Sequence, residues 1–220
     1  MRYCFLLVFI LFIAAGVRAQ GVTKNGQITS NGSLYVSKNG AVGASEGVDK
    51  NGKAQAALAV GSSYQGGKIF YFFVSGDPGY VAGQTHGLIA ATADLADAVW
   101  GCGGSLMIGS PGFTIGTGST NTDNIVAGCT TVGIGAELCK SLVLNTYSDW
   151  YLPSIDELVV LMNNEAAIGG FTSNIYLSST ENNTGTFNAK NFYYGSDIVN
   201  KVQYGGQKIN TGHVRPIRTF

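Results

Sequence analysis

The chain has 220 residues, with 13 basic side chains, 13 acidic ones and only two histidines. That balance excludes the cationic surface a nucleic-acid binder needs, and 32 glycines with 12% charged residues exclude a helical bundle. The length suits one domain of ~100–200 residues plus an extension.

The first residues have the form of an export signal. Arg2 supplies a short basic region, Phe5 to Ala15 an apolar run, and Val17-Arg18-Ala19 ends in the small residue a signal peptidase requires. Cleavage is expected after Ala19, so residues 1–19 leave and Gln20 comes first. The run is too short for a comfortable membrane span, and Cys4 stands too early for lipid attachment. A secreted or cell-surface protein is expected, with no transmembrane segment after cleavage. Without Arg2 and Arg18 there are 11 basic against 13 acidic residues, a net −2. The distribution is uneven: +2 over residues 20–63, −8 over 64–181 and +4 over 182–220.

Residues 20–63 repeat themselves. Val22-Thr23-Lys24-Asn25-Gly26 returns as Val36-Ser37-Lys38-Asn39-Gly40 and as Val48-Asp49-Lys50-Asn51-Gly52. Asn-Gly is a strong hairpin signal because both residues tolerate positive φ. The expectation is a V-x-K-N-G spacer or stalk of short extended pieces and tight turns; the alternatives are self-association through residues 20–63 and a separate binding repeat.

The domain is expected over 64–220. Ile69-Phe70-Tyr71-Phe72-Phe73-Val74 is a continuous apolar run, as in a strand buried on both faces. Asp77-Pro78-Gly79 reads as a turn, Leu88 to Ala91 as the next strand, and 101–120 as a long loop rich in glycine, serine and threonine. A helix is expected to start near Asn121 or Thr122. Ile125, Cys129, Val132, Ala136, Cys139 and Val143 then recur at helical spacing. If that helix is continuous, Cys129 and Cys139 lie ~15 Å apart, too far for a bridge. Export makes a disulfide plausible, so Cys102 would pair with Cys129 or with Cys139.

Asp149-Trp150-Tyr151-Leu152-Pro153-Ser154-Ile155-Asp156-Glu157-Leu158 is the densest signal in the chain. Ser154 and Glu157 have the S-x-x-E spacing of a capping box. Pro153 favours an extended residue before it. Leu158, Val159, Leu161 and Met162 give the new helix an apolar face, and Asn163-Asn164 ends it. Beyond it the pattern turns to β: Tyr176 to Thr180, Phe187 to Tyr194 and Ile198 to Tyr204, with Gly205-Gly206 as a turn. The chain closes on Arg215 to Phe220. Pro216 cannot donate to a ladder, which places that last strand at an edge or a bulge.

D-W-Y-L-P-S-x-D-E-L, Tyr176-Leu177-Ser178-Ser179-Thr180-Glu181 and Val214-Arg215-Pro216-Ile217-Arg218 together resemble the C-terminal domain family of the Legionella collagen-like adhesin (Lcl). Gly66 to Phe70, Gly76 to Tyr80, His86 to Ala91, Trp100-Gly101-Cys102 and Ile115 to Gly118 match it in order upstream. The resemblance implies an α+β, C-type-lectin-like domain with two helices and a twisted, mainly antiparallel sheet. It also implies pairing of the last strand near Ile69–Phe73, and a secreted adhesin for sulfated glycans. One departure is Leu177, where the family carries tryptophan.

No reactive constellation is legible. His86 and His213 stand 127 positions apart without a second ligand at metal spacing. Asp156 and Glu157 are explained by the capping box and the helix dipole, and Asp94 and Asp97 by a solvated turn. Gly116-Thr117-Gly118 lacks the remaining features of a nucleotide loop. No metal, cofactor or catalytic residue is expected, and no enzyme. The binding candidates are Glu181, Asn182, Asn183, Lys190, Tyr193, Lys201 and Lys208: amides and carboxylates for hydroxyls, a tyrosine face for a sugar ring, lysines for anionic groups. The expected partner is extracellular polysaccharide or surface glycan.

Overall fold

A computed structural model describes residues 34–36, 42–44, 57–105, 112–172, 174–182, 188–194 and 202–220. The chain divides into two units, Met1–Ala57 and Leu58–Phe220. In the first, β1 (Leu34–Val36) and β2 (Val42–Ala44) pair antiparallel, with Val36 opposite Val42. The expected signal segment and the rest of the repeats lie outside the described residues.

The second unit has mixed helices and antiparallel sheets, the α+β class expected. It starts at Leu58, ahead of Tyr64, because Leu58 packs beside Trp150 and Ile69, and the Gly61 N–H donates to the Ile69 carbonyl at 2.8 Å. Its first sheet holds β3 (Ser63–Tyr64), β4 (Gly67–Phe72), β5 (Gly87–Ala90) and the last strand of the chain, Ile217–Thr219, in the order last strand, β5, β4, β3. The last strand therefore sits at an edge, as Pro216 requires. It pairs with β5, which in turn pairs with β4, so it lies near Ile69–Phe73 with one strand between. The Tyr64 and Phe220 rings still meet edge to face at 5.2 Å.

β6 (Ala98–Val99) follows, then α1 (Gly118–Gly128) and α2 (Gly135–Lys140). The single helix expected over Ile125 to Val143 is thus two. The backbone is extended at Cys129, and Gly133 takes φ +75°, which an α-helix cannot contain. The period-3/4 pattern continues across this break by coincidence. Ile125, Ala136 and Cys139 are buried, whereas Val132 and Val143 are 84% and 67% exposed. The start also differs: Thr117 is the N-cap, and Asn121 and Thr122 lie buried inside α1.

α3 (Ile155–Asn163) has both halves of the capping box. The Glu157 N–H donates to Ser154 Oγ at 3.3 Å, and the Ser154 N–H donates to Glu157 Oε2 at 2.7 Å. Ile155, Leu158, Leu161 and Met162 face a core made with Phe70, Leu88, Tyr151, Tyr176 and Ile217. Asn164 caps α3 and its amide donates to the Phe70 carbonyl at 3.1 Å, tying the helix to β4. A short α4 (Glu165–Ile168) brings the helices among the described residues to four, where two were expected.

The second sheet is β7 (Asn174–Glu181), β8 (Asn188–Tyr194) and β9 (Val202–Gln207), antiparallel in that order. Gly205 and Gly206 belong to β9 and do not open a turn. The turn comes after it, with the Asn210 N–H on the Gln207 carbonyl. β10 (Thr211–Gly212) pairs with β6, and β11 (Ile217–Thr219) completes the first sheet. Among the described residues no helix is long and apolar enough to cross a membrane.

Candidate functional site

The binding candidates cluster in sequence around the β7–β8–β9 sheet, so its supports decide what it can present. The second half of β7 is buried but polar: Ser178, Ser179, Thr180 and Glu181 are each at most 1% exposed. No side-chain atom of these four residues is buried without a hydrogen-bond partner. The Trp100 indole N–H donates to the Ser178 carbonyl at 2.9 Å, and the Ser179 N–H to the Pro153 carbonyl at 2.7 Å. Thr180 Oγ1 donates to the Gly112 carbonyl and accepts from the Ile155 N–H at 2.9 Å.

Glu181 and Lys208 are not available as ligand contacts, because the structure places both inside. Lys208 Nζ forms an ion pair with Glu181 Oε1, donates to the Ser105 carbonyl and lies 4.5 Å from the centre of the Trp100 ring. Beside them Cys102 and Cys129 form the disulfide, while Cys139 is a buried free thiol whose pKa burial pushes up. Of the two pairings left open by the spacing, Cys102 with Cys129 is the one formed.

The two arginines of the closing motif are also internal. Arg218 grips Asp149 with two hydrogen bonds, Nε at 2.7 Å and a terminal nitrogen at 2.8 Å, and stacks over Tyr147. These bonds hold the Asp149 carboxyl below its usual range. Arg215 pairs with Asp94 at 2.5 Å, donates to the Gly170 carbonyl and lies over the Phe171 ring. The +4 of residues 182–220 is therefore largely neutralised in the interior. Lys190 lies in β8 opposite Gly205, and Tyr193 opposite Val202. Asn182 is half-buried, and Asn183 and Lys201 lie outside the described residues. Leu177 is packed among Ala98, Cys139, Leu152 and Val214.

Two features escaped the sequence. Glu157 is buried, and its pKa is pushed up to about 7 by that burial, against the pull of the Ser154 and Gly116 N–H donors. A Cβ on Gly118 would come within 2.2 Å of its Oε2, so only glycine lets α1 approach the capping box this closely. The second is a relay. His213 Nδ1 meets Asp97 Oδ1 at 2.5 Å, its Nε2 meets Thr172 Oγ1 at 2.8 Å, and Tyr176 packs edge to face on the ring. This has the order of a nucleophile, base and orienting acid, and it joins three loops that sequence distance hid. Asp94 and Asp97, read as a solvated turn, are thus cross-links.

An open groove of about 560 Å³ lies between α3 and two loops. Asp156, Val159 and Val160 line it from the helix, with Asp77, Pro78 and Ile115 opposite. Asp77 Oδ2 accepts from the Tyr71 hydroxyl and the Val74 N–H, each at 2.8 Å. Burial first, then this carboxylate, pushes the Tyr71 hydroxyl up to about 12. The Asp156 side chain is exposed.

No protein-family model matches the chain, and no curated protein matches it.

Proposed function

We propose that the chain is an exported, non-enzymatic recognition module: an adhesin whose C-type-lectin-like domain binds extracellular polysaccharide, anionic glycans included, through the β8–β9 hairpin and its flanking connections. One observation carries this reading. The base of that sheet is locked by the Lys208–Glu181 pair, the Trp100–Ser178 hydrogen bond and the Cys102–Cys129 bridge, and a fixed base lowers the ordering cost of binding. The resemblance to the Lcl C-terminal domain supports it, as do the amides, tyrosines and lysines of residues 182–204. With Lys208, Arg215 and Arg218 engaged internally, Lys190 and Lys201 are the cations proposed to meet an anionic ligand.

A glycan array read at rising salt tests the reading. Anionic hits should fade as salt screens ion pairs over ~8–10 Å, and Lys190→Ala with Lys201→Ala should remove them. No bound glycan, or hits indifferent to both lysines, overturns it. The non-enzymatic part has its own check at the relay: p-nitrophenyl acetate should be hydrolysed no faster by the chain than by its Thr172→Ala variant.

The second reading is a structural surface or matrix protein that acts through protein contacts of the repeat region. The pairing of β1 with β2 favours it, since short strands of this kind can add to others.

A further inference from the structure

The glycan reading leaves the groove beside α3 unused. Asp156, Val159 and Val160 stand at i, i+3 and i+4 on that helix, so one face offers a carboxylate and two apolar side chains ~5–6 Å apart. Ile115 and Pro78 extend the apolar floor. Asp77 already accepts two internal hydrogen bonds, so exposed Asp156 is the carboxylate with capacity to offer.

The complementary shape is an extended strand with an apolar side chain and a cation two positions apart. Alternate residues of a strand share a face and lie ~6.6–6.8 Å apart. This chain carries that pattern three times, as Val22-Thr23-Lys24, Val36-Ser37-Lys38 and Val48-Asp49-Lys50. The middle residue is polar each time, as the outward face of such a strand demands. Charge agrees: residues 20–57 carry +2, whereas Leu58–Phe220 holds seven basic against eleven acidic residues, a net −4.

We propose that this groove receives a V-x-K-N-G repeat from a second copy of the chain, with the valine against Ile115, Val159 and Val160 and the lysine at Asp156. The proposal rests on the second reading above and supplies the receptor that reading lacks. Because repeat and groove are different surfaces, the contact is heterologous and can propagate from copy to copy.

Sedimentation velocity on the full chain tests it. Self-association should weaken about threefold with Asp156→Asn and ~10-fold with Asp156→Lys, the scale of one exposed ion pair removed and then reversed. K24E, K38E and K50E together should do the same. The decisive arm mixes the Asp156→Lys chain with the triple-glutamate chain, where the reversed charges should restore association between the two variants. Circular dichroism checks the fold of each variant, and glycan capture should be unchanged in all of them, which separates this proposal from the glycan reading. A chain that stays monomeric at the highest attainable concentration, association indifferent to Asp156→Lys, or a mixture that stays apart overturns it.

Discussion

Two buried regions of the domain, of equal depth, are built by opposite means. Under α3, Ile155, Leu158, Leu161 and Met162 meet Phe70, Leu88 and Ile217, an apolar contact throughout. At the far end of β7, Ser178 to Glu181 are buried as completely among Asn121, Thr122, Ser154, Glu157 and Lys208. Burial in the first comes from apolar area leaving water, a quantity that falls in proportion to what is removed. In the second it comes from completing hydrogen bonds, and a lost partner leaves a buried group unsatisfied. The apolar half should therefore fail by degrees and the polar half abruptly.

The sharpest break lies at the ion pair. Glu181→Ala or Lys208→Ala strands the other charge inside and should cost about 4 kcal/mol in urea unfolding. Replacing both, as Glu181→Leu with Lys208→Met, should recover most of that loss. Single variants that cost under ~1 kcal/mol would mean the pair does not lock the sheet. The apolar half should respond in graded fashion, with Leu158→Ala losing about 3 kcal/mol and Leu158→Met under ~1.5. Removing the bridge by Cys102→Ser with Cys129→Ser tests the polar end from the chain-entropy side. A sequence separation of 27 corresponds to about 3.5 kcal/mol, seen as a lower midpoint only under oxidising conditions.

The same contrast decides what the sequence revealed. The capping box of Ser154 and Glu157, the apolar run of β4 and the edge position forced on β11 by Pro216 are local signals, and each is present in the structure. The break at Gly133 was hidden because helical spacing happened to resume beyond it. Arg215 with Asp94 and Arg218 with Asp149 were hidden for another reason. Charged residues are mostly exposed, and nothing local marks a cation whose partner lies 121 or 69 positions away. Glu181 and Lys208 were singled out as chemically special, and they are so as a structural pair. Lys190 and Lys201, the lysines proposed for ligand binding, carry no local mark of any kind in the sequence.

A smaller effect than the loss of the ion pair or the bridge separates burial from pairing within a single side chain. Glu157 has a folded pKa of about 7 against 4.5 when unfolded, so the folded state holds the extra proton between those values. Stability should then fall as pH rises from about 4.5 towards 7 and level off above, losing about 2 kcal/mol between pH 5 and 7.5. Asp149 has the opposite sign. Its carboxyl is held below 3.8 by Arg218, so its contribution is present above that value and is lost only as pH falls through the lowered one, outside this window. Thermal unfolding of the chain and its Glu157→Gln variant at pH 5, 6, 7 and 7.5 isolates the difference. The variant should lack the decline, so the difference between the two curves should shift by about 2 kcal/mol over this range. Parallel curves would mean that the N–H donors of Ser154 and Gly116 outweigh burial, and that the capping box keeps Glu157 charged at all these values.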